Sequence, residues 1–320
     1  MIQIALDAMG GDNAPSATVE GAIEAAKVSE GRYKIVLTGP EEILKAELAK
    51  HNYTGDEISI QHAPQQVAMD DSPSDVLKTK QDSGLVTCVG LQKKGLVQAS
   101  VSAGNSGAMM AACLMLLGRT GKISRPAIAC GVPSIKRPVV LLDCGANVDE
   151  KPLHLLHFAI CGSTYAEHVL KYENPRVGLL NIGEEEKKGP EVIQETHQIL
   201  KKAPINFIGN IESRDIVKGD VDVVVAPGYA GNIVLKLMEG FYEYHKALFG
   251  VIDSPEGEIF EKGWNYSNIG AGLLLGLNGT GLITHGRADA PTIKMAILNA
   301  YNQAVNEVSV KISQKLEELA

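Results

Sequence analysis

Short apolar segments alternate with longer helical patterns along most of this chain, and a glycine-rich turn follows nearly every apolar segment. Ile2–Asp7 is the first such segment, and Val139–Asp143 and Val177–Ile182 repeat the pattern. Apolar runs of this length that lack polar alternation are typical of strands buried on both faces, as in parallel sheets. The sequence therefore predicts an α/β fold, with a mainly parallel sheet flanked by helices.

The length of 320 residues allows one large core or two modest ones. A single α/β unit over residues 1–320 and an arrangement in two lobes both remain open. In either case we expect the binding cleft at the carboxyl ends of the strands. The segment 250–263 is polar and irregular, and we predict a loop or flap there.

Composition excludes several classes of protein. A net charge of −8 argues against a nucleic-acid-binding protein, because such proteins present a basic surface. The chain has no run of about 18 apolar residues and enters a predicted strand at once, so we expect a cytoplasmic protein without a membrane span. Five cysteines without a CxxC pair predict buried, reduced thiols. We expect neither a metal site nor a cofactor.

Six turns that follow predicted strands combine glycine with Asn, Ser, Asp or Lys. Glycine lets backbone N–H groups approach an anion closely, and the N-terminus of a following helix adds a favourable dipole. Each turn alone fits an ordinary strand-to-helix connection. The six together, at one edge of a sheet, indicate a binding cleft. Their sequences are DAMGGD (7–12), SAGNSGA (102–108), DCGAN (143–147), NIGEEEKKG (181–189), GNIESRD (209–215) and APGYAGN (226–232).

These turns match neither of two common nucleotide-binding patterns. MGGDNA and AGNSGA do not fit GxGxxG, and residues 118–124 do not fit the P-loop pattern GxxxxGK[ST]. The residue types therefore favour a phosphate group that is bound without a metal ion.

The order and spacing of the motifs resemble the PlsX family, the acyl-acyl-carrier-protein:phosphate acyltransferases of bacterial phospholipid synthesis. The resemblance covers nearly the whole chain. It is carried by DAMGGDNAP (7–15), VSAGNSGAMMAA (101–112), LLDCGANVD (141–149), VGLLNIGEEEKKG (177–189), NFIGNIESRDI (206–216) and the YxGNxxLK run (229–236).

The resemblance implies a fold similar to phosphate acetyltransferases and to isocitrate and isopropylmalate dehydrogenases. It implies a homodimer that contacts the inner face of the cytoplasmic membrane peripherally. The implied reaction transfers a long-chain acyl group from the phosphopantetheine thioester of acyl carrier protein to inorganic phosphate. Two motifs depart from the family: Pro227-Gly228-Tyr229 replaces Asp-Gly-Phe, and His285-Gly286-Arg287-Ala288 replaces His-Gly-Ser-Ser.

A thioester is already activated, so phosphate can attack it directly once backbone N–H groups, Asn or Ser donors and a cation position both reactants. We expect Ser102–Ser106 and the following helix to hold phosphate, with Lys188 as the cationic donor and His285 as a proton shuttle. Like charge would repel phosphate from Asp7 and Asp12, which we expect to hold their loop. The predicted catalytic residues are Lys188, Asn147, Asn210 and His285, and the predicted binding residues are Asp7, Gly10, Gly11, Asp12, Ser102, Gly104, Asn105, Ser106, Asn181, Glu184, Asn232 and Arg287.

Three other functions remain open at this point. A phosphate acetyl- or butyryltransferase that uses acyl-CoA would need the same phosphate chemistry. A metal- and NAD-dependent dehydrogenase would need a nucleotide fingerprint and a carboxylate cluster, which the sequence lacks. A non-catalytic protein that binds acyl carrier protein is the third, and it is motivated by Pro227.

Overall fold

The computed structural model describes residues 1–250 and 252–318, and contacts divide the chain into two compact units. Unit 1 consists of Met1–Gly118 and Gly270–Glu307, and unit 2 consists of Arg119–Ile269 and the chain from Val308 onward. In both units a mostly parallel sheet is flanked by helices, which confirms the predicted fold class. No helix in the described ranges is both long enough and apolar enough to cross a membrane.

The strands are β1 (Ile2–Asp7), β2 (Tyr33–Gly39), β3 (Ile58–His62), β4 (Ala99–Ser102), β5 (Ala127–Val132), β6 (Val139–Leu142), β7 (Arg176–Leu180), β8 (Asn206–Ile211), β9 (Val223–Val225), β10 (Gly272–Leu275) and β11 (Thr280–Ile283). The helices are α1 (Ser16–Lys27), α2 (Glu41–Lys50), α3 (Pro73–Thr79), α4 (Gly84–Lys93), α5 (Ser106–Leu116), α6 (Pro152–His168), α7 (Glu191–Leu200), α8 (Ser213–Lys218), α9 (Gly228–Phe249), α10 (Pro255–Trp264), α11 (Tyr266–Ile269), α12 (Ala290–Val305) and α13 (Val308–Glu317).

The strands of unit 1 follow the order β3-β2-β1-β4-β11-β10. The neighbours from β3 to β11 pair in parallel, and β10 pairs antiparallel with β11. Helix α12 packs on α1, β1, β4 and β11. Because β1, β4 and β11 are adjacent and parallel, their carboxyl ends meet at one edge of the sheet.

The strands of unit 2 follow the order β5-β6-β9-β7-β8. The neighbours from β6 to β8 pair in parallel, and β5 pairs antiparallel with β6. Sequence patterns did not predict the two antiparallel strands, β5 and β10. The reason is that short apolar runs rich in Ala, Gly or Leu fit a buried helix as well as a strand.

Helix α10 corrects the predicted loop over 250–263. Ser254 caps its N-terminus by accepting a hydrogen bond from the Gly257 N–H at 3.1 Å, and Pro255 occupies its first turn. The Trp264 ring lies 5.2 Å from the Phe241 ring on α9. The polar composition of the segment led to the prediction of a loop, although Ser254 and Pro255 begin a helix and Trp264 packs on α9. Val251, also in the predicted loop, lies outside the described residues.

Asp222 ties three strands of unit 2 together at their amino ends. Its side chain is 1% exposed, and Arg137 and Arg176 donate to it at 2.8–3.0 Å. The Arg137 guanidinium also stacks on the Tyr172 ring, 3.9 Å from its centroid. Burial by itself would raise the pKa of Asp222, but hydrogen bonds from Arg176 and Arg137 outweigh burial and leave the pKa lowered.

We expect the substitution Asp222→Asn to lower the free energy of unfolding by about 3 kcal/mol, because it removes one partner of a buried charge network. Because the native pKa is lowered, this contribution is present above about pH 4 and is lost as the pH falls further. Urea-induced unfolding at pH 7 and at low pH measures both effects.

Asp220→Asn is the matched control for this substitution. Asp220 lies two residues away, its side chain is 56% exposed, and it pairs with exposed Lys136. We expect it to cost less than about 1 kcal/mol. Equal costs at the two positions would contradict the structural role of Asp222.

Candidate active site

Three loops converge at the carboxyl edge of unit 1, after β1, β4 and β11. The Asp12 N–H donates to the Gly286 carbonyl at 2.7 Å, and the Thr284 N–H donates to the Ser102 carbonyl at 3.0 Å. The Asn13 amide donates at 3.2 Å to the carbonyls of both residues that follow Gly286. Parallel pairing of the three strands therefore brings together three motifs that lie far apart in the sequence.

Asp7 lies beneath these loops and holds two of them. It is 3% exposed, and its carboxylate accepts hydrogen bonds from the Ser102 hydroxyl at 2.8 Å and from the Met9 N–H at 3.3 Å. The Ser102 hydroxyl in turn accepts from the Gly104 N–H at 3.0 Å. Burial raises the pKa of Asp7 to about 6, and the two hydrogen bonds only partly oppose it.

Gly10 and Gly11 serve the packing of these loops. A Cβ atom on Gly10 would lie 2.5 Å from the Asp7 carboxylate and 2.8 Å from the Gly104 nitrogen. Gly11 has a φ of +100°, in the region that favours glycine. Close packing at Gly10 and backbone conformation at Gly11 thus account for both glycines without a ligand.

The N-terminus of α5 has exposed N–H groups. Asn105 caps the helix by accepting from the Ala108 N–H at 2.9 Å, and its amide donates to the Asp71 carbonyl at 2.8 Å. Ser106 and Gly107 are exposed, and their backbone N–H groups have no hydrogen-bond partner within residues 1–250 and 252–318. Such a helix start favours an anion.

Arg287 and His285 lie in the loop after β11, and both are exposed. The Arg287 N–H donates to His285 Nδ1 at 3.1 Å, which fixes the orientation of the ring. The Arg287 guanidinium forms no ion pair with any described residue. Unit 1 therefore combines exposed helix N–H groups and an exposed guanidinium at one edge of its sheet.

Asp143 holds the loop after β6 in unit 2, much as Asp7 holds the loop after β1 in unit 1. It is buried, and its two oxygens accept hydrogen bonds at 2.8–3.1 Å from the backbone of Ile128, Ala146 and Asn147 and from the Asn147 amide. Burial raises its pKa despite these bonds. The Asn147 amide also donates to the Pro126 carbonyl at 2.9 Å, so this predicted catalytic residue is part of the scaffold of the loop.

The start of α9 packs directly on this loop. A Cβ atom on Gly231 would lie 2.0 Å from the Asp143 carbonyl oxygen, and Asn232 donates to the Cys144 carbonyl at 3.1 Å. Pro227 is the residue before α9, and its side chain accepts no hydrogen bond from the N–H groups of the first turn. Glu150 accepts one instead, from the N–H of the following Gly228 at 2.7 Å. Sequence reasoning missed Glu150, because no local pattern links residues 78 positions apart.

The loop 181–189 follows β7 and carries Glu184 and Lys188. Asn181 donates to the Lys188 carbonyl at 3.0 Å, and Asn210 donates to the Glu185 carbonyl at 2.9 Å. The Lys188 side chain is 53% exposed, and its ammonium lies 3.9 Å from the Glu185 carboxylate. Asn181 and Asn210 therefore hold the loop, and the predicted site residues Glu184 and Lys188 are exposed on it.

The predicted site residues thus fall into two groups, one in each unit. The structure brings Asp7, Gly10, Gly11, Asp12, Ser102, Gly104, Asn105, Ser106, His285 and Arg287 together in unit 1. It places Asn147, Asn181, Glu184, Lys188, Asn210 and Asn232 in unit 2. The described residues contain no group of three side chains that could hold a metal ion.

We expect the stability of the wild type, relative to an Asp7→Asn variant, to fall as the pH rises from 4 to 7. The folded-state pKa of about 6 exceeds the ordinary 3.8, so the native state binds the extra proton and ionisation costs stability. The pH-dependent part of the difference should reach about 3 kcal/mol and level off above pH 6. Unfolding of both proteins across this range measures it, and a difference that does not change with pH would contradict the buried environment of Asp7.

The chain matches known proteins over nearly its full length. The family model described as "Fatty acid synthesis protein" matches residues 2–311. A phosphate acyltransferase from Syntrophotalea carbinolica is 45% identical, over 98% of this chain and 93% of that protein. A phosphate acyltransferase from Geobacter sulfurreducens is 43% identical, over 99% of this chain and 94% of that protein.

Solved structures show the same fold at low identity. A phosphotransacetylase from Streptococcus pyogenes superimposes with a TM-score of 0.64 and 17% identity, over 95% of this chain and 94% of that one. A branched-chain phosphotransacylase from Enterococcus faecalis gives a TM-score of 0.62 and 15% identity, over 95% and 99%. The matched family model and the full-length relatives, together with this fold, show that the chain belongs to the PlsX family of acyltransferases.

Proposed function

We propose that this protein transfers a long-chain acyl group from acyl carrier protein to inorganic phosphate and so forms an acyl-phosphate for phospholipid synthesis. The observation that carries the proposal is the 45% identity over 98% of the chain to a protein named phosphate acyltransferase. The carrier-bound, long-chain donor comes from the motif resemblance described above. The exposed groups at the carboxyl edges of both sheets support the phosphate chemistry.

Phosphate binds in unit 1 at the start of α5. The N–H groups of Ser106 and Gly107 supply neutral donors, and the helix dipole favours an anion there. Arg287 supplies the positive charge, and its guanidinium can bind two phosphate oxygens at once. Asp7 and Ser102 are buried beneath the loops, and they hold the binding groups in place rather than contact the ligand.

The reaction is a direct attack. A phosphate oxygen forms a bond to the thioester carbonyl carbon, the carbon–sulfur bond breaks, and the pantetheine sulfur leaves and takes up a proton. Two features argue against an enzyme nucleophile. Burial raises the pKa of the Cys113 and Cys161 thiols to about 12 and also raises that of Cys88 and Cys144, which keeps all four protonated. Ser102 is inaccessible.

Unit 2 contributes the residues that we assign to the thioester. Asn147, Asn181 and Asn210 shape the loops after β6, β7 and β8, and Lys188 is the cation that this unit contributes. Its exposed ammonium is held only weakly by Glu185, so it is available to a ligand. We assign the proton-transfer step to His285 in unit 1.

A thiol-release assay tests this function. We expect phosphate-dependent release of free acyl carrier protein thiol from palmitoyl-acyl carrier protein, with acyl-phosphate trapped as its hydroxamate. In this assay Arg287→Ala should raise the KM for phosphate about tenfold, because a charge-assisted contact is lost. The thermal midpoint should stay unchanged, because Arg287 is exposed.

Arg32→Ala is the control for Arg287→Ala. Arg32 directly precedes β2, so it lies at the amino end of the strands of unit 1. Its guanidinium pairs with exposed Glu30 and donates to the carbonyls of Val28 and Ser29. We expect its KM for phosphate to match the wild type. A preference for acetyl-CoA or butyryl-CoA would indicate a phosphotransacylase that uses coenzyme A, and no release from any thioester would overturn the proposal.

We further propose that the protein is a homodimer whose subunits meet on α9. Five long apolar or aromatic side chains form a stripe along this helix at helical spacing, and all are 47–72% exposed: Ile233, Leu237, Phe241, Tyr244 and Leu248. Monomers rarely expose an apolar stripe of this length. The neighbouring α10 carries Glu256 and Glu258 in its first turn, which disfavours an anionic membrane as the surface that covers the stripe.

We expect Leu237→Lys to shift the protein from dimer to monomer in light scattering, because it places a charge in the centre of the stripe. Ile135→Lys, at an 82% exposed position in the loop between β5 and β6, should leave the dimer intact. A wild-type monomer that sediments with lipid vesicles, and loses this property on Leu237→Lys, would show peripheral membrane contact instead.

A further inference from the structure

Lys188 sits at the end of a tight turn within the loop 181–189. The Lys188 N–H donates to the Glu185 carbonyl at 3.0 Å and closes the turn. The Asn181 amide donates to the Lys188 carbonyl at 3.0 Å. The backbone of Lys188 is therefore fixed on both sides, while its side chain remains exposed.

Asn210 braces the same turn from β8. Its Nδ2 donates at 2.9 Å to the Glu185 carbonyl, the same oxygen that closes the turn. Only the nitrogen end of an amide can donate, so the oxygen end must point the other way. There Asn210 Oδ1 lies 2.9 Å from Nδ1 of His197 on α7.

This arrangement assigns the proton on His197. Because the Asn210 oxygen only accepts, His197 Nδ1 must carry a hydrogen and donate it. The ring is 4% exposed and lies edge-on to Phe207, with centroids 5.2 Å apart. Its Nε2 lies 3.6 Å from Glu186, whose carboxylate also pairs with Lys201 at 2.7 Å. The ring therefore has one orientation, and it presents Nδ1 to Asn210.

We propose that His197 is a positioning residue that acts through Asn210 to hold the turn that presents Lys188. The inference rests on the proposed function, in which Lys188 supplies a cation. Without the Nδ1 donor, the buried Asn210 oxygen would lack a partner, and the amide would lose the preference that directs its nitrogen toward Glu185. The Glu185 carbonyl at the start of the turn would then lose one of the two N–H groups that donate to it.

Two polar substitutions separate positioning from bulk packing. In His197→Asn the amide nitrogen can occupy the position of Nδ1, whereas in His197→Gln it reaches toward the position of Nε2. We expect His197→Gln to lower kcat/KM about tenfold in the thiol-release assay, because the turn is displaced, and His197→Asn to recover most of this loss. Equal activities of the two variants would overturn the proposal.

His157→Gln is the matched control. His157 is another buried histidine of unit 2, on α6, and its Nδ1 lies 3.3 Å from the Ser124 hydroxyl. This contact is with the segment before β5 and not with the loop 181–189, so we expect its kcat/KM to match the wild type even if its thermal midpoint falls. A loss of activity as large as that of His197→Gln would overturn the specific role of His197.

A double-mutant cycle tests whether His197 acts through the turn. In a Lys188→Ala background, His197→Gln should have little further effect on kcat/KM, because both substitutions remove the same contribution. The same fold loss in both backgrounds would overturn the proposal.

Hydrogen exchange gives a readout that does not depend on activity. We expect the amides of residues 183–188 to exchange faster in His197→Gln than in the wild type or in His157→Gln. Unchanged exchange in His197→Gln overturns this inference. A wild type that releases no thiol overturns the proposed function instead, so the two failures can be told apart.

Discussion

One buried carboxylate at the end of a strand organises the loops of each unit. Asp7 ends β1 in unit 1, and Asp143 follows β6 in unit 2. Each is almost inaccessible, and each accepts hydrogen bonds from its own loop and from a neighbouring element. Burial raises both pKa values, so the loops are built around an acid that is costly to ionise and therefore needs every one of its donors.

The polar residues of the sequence motifs accordingly divide into two kinds. Most of them, such as Ser102, Asn105, Asn147 and Asn210, use their hydrogen-bonding groups on the protein itself. A smaller number present groups to the solvent at the strand ends: Ser106, Lys188, His285 and Arg287. The residues that bond to the protein itself hold the backbone of the loops that carry the exposed residues. An exposed group can act on a ligand only if this backbone holds it in position.

Several features of the fold and the candidate site follow from local patterns. The parallel strands and the glycine-rich turns at their carboxyl ends could be predicted, since each depends on nearby residues and on the general geometry of α/β sheets. Helix α10 was missed because polar residues cover a segment whose Ser-Pro start and aromatic contacts make it helical. Glu150 and His197 were missed because their partners lie in other elements, and no spacing rule relates them.

The fold class, the family and the motifs at the strand ends follow from the order of residues along the chain. Which members of each motif hold the loops, and which are exposed, depends on contacts between distant parts of the chain. An amide or carboxylate has the same hydrogen-bonding capacity in either role, so the residue type alone does not distinguish them. Its role depends on whether packing brings it a partner, as it brings His197 to Asn210 and leaves Arg287 without an ion pair among the described residues.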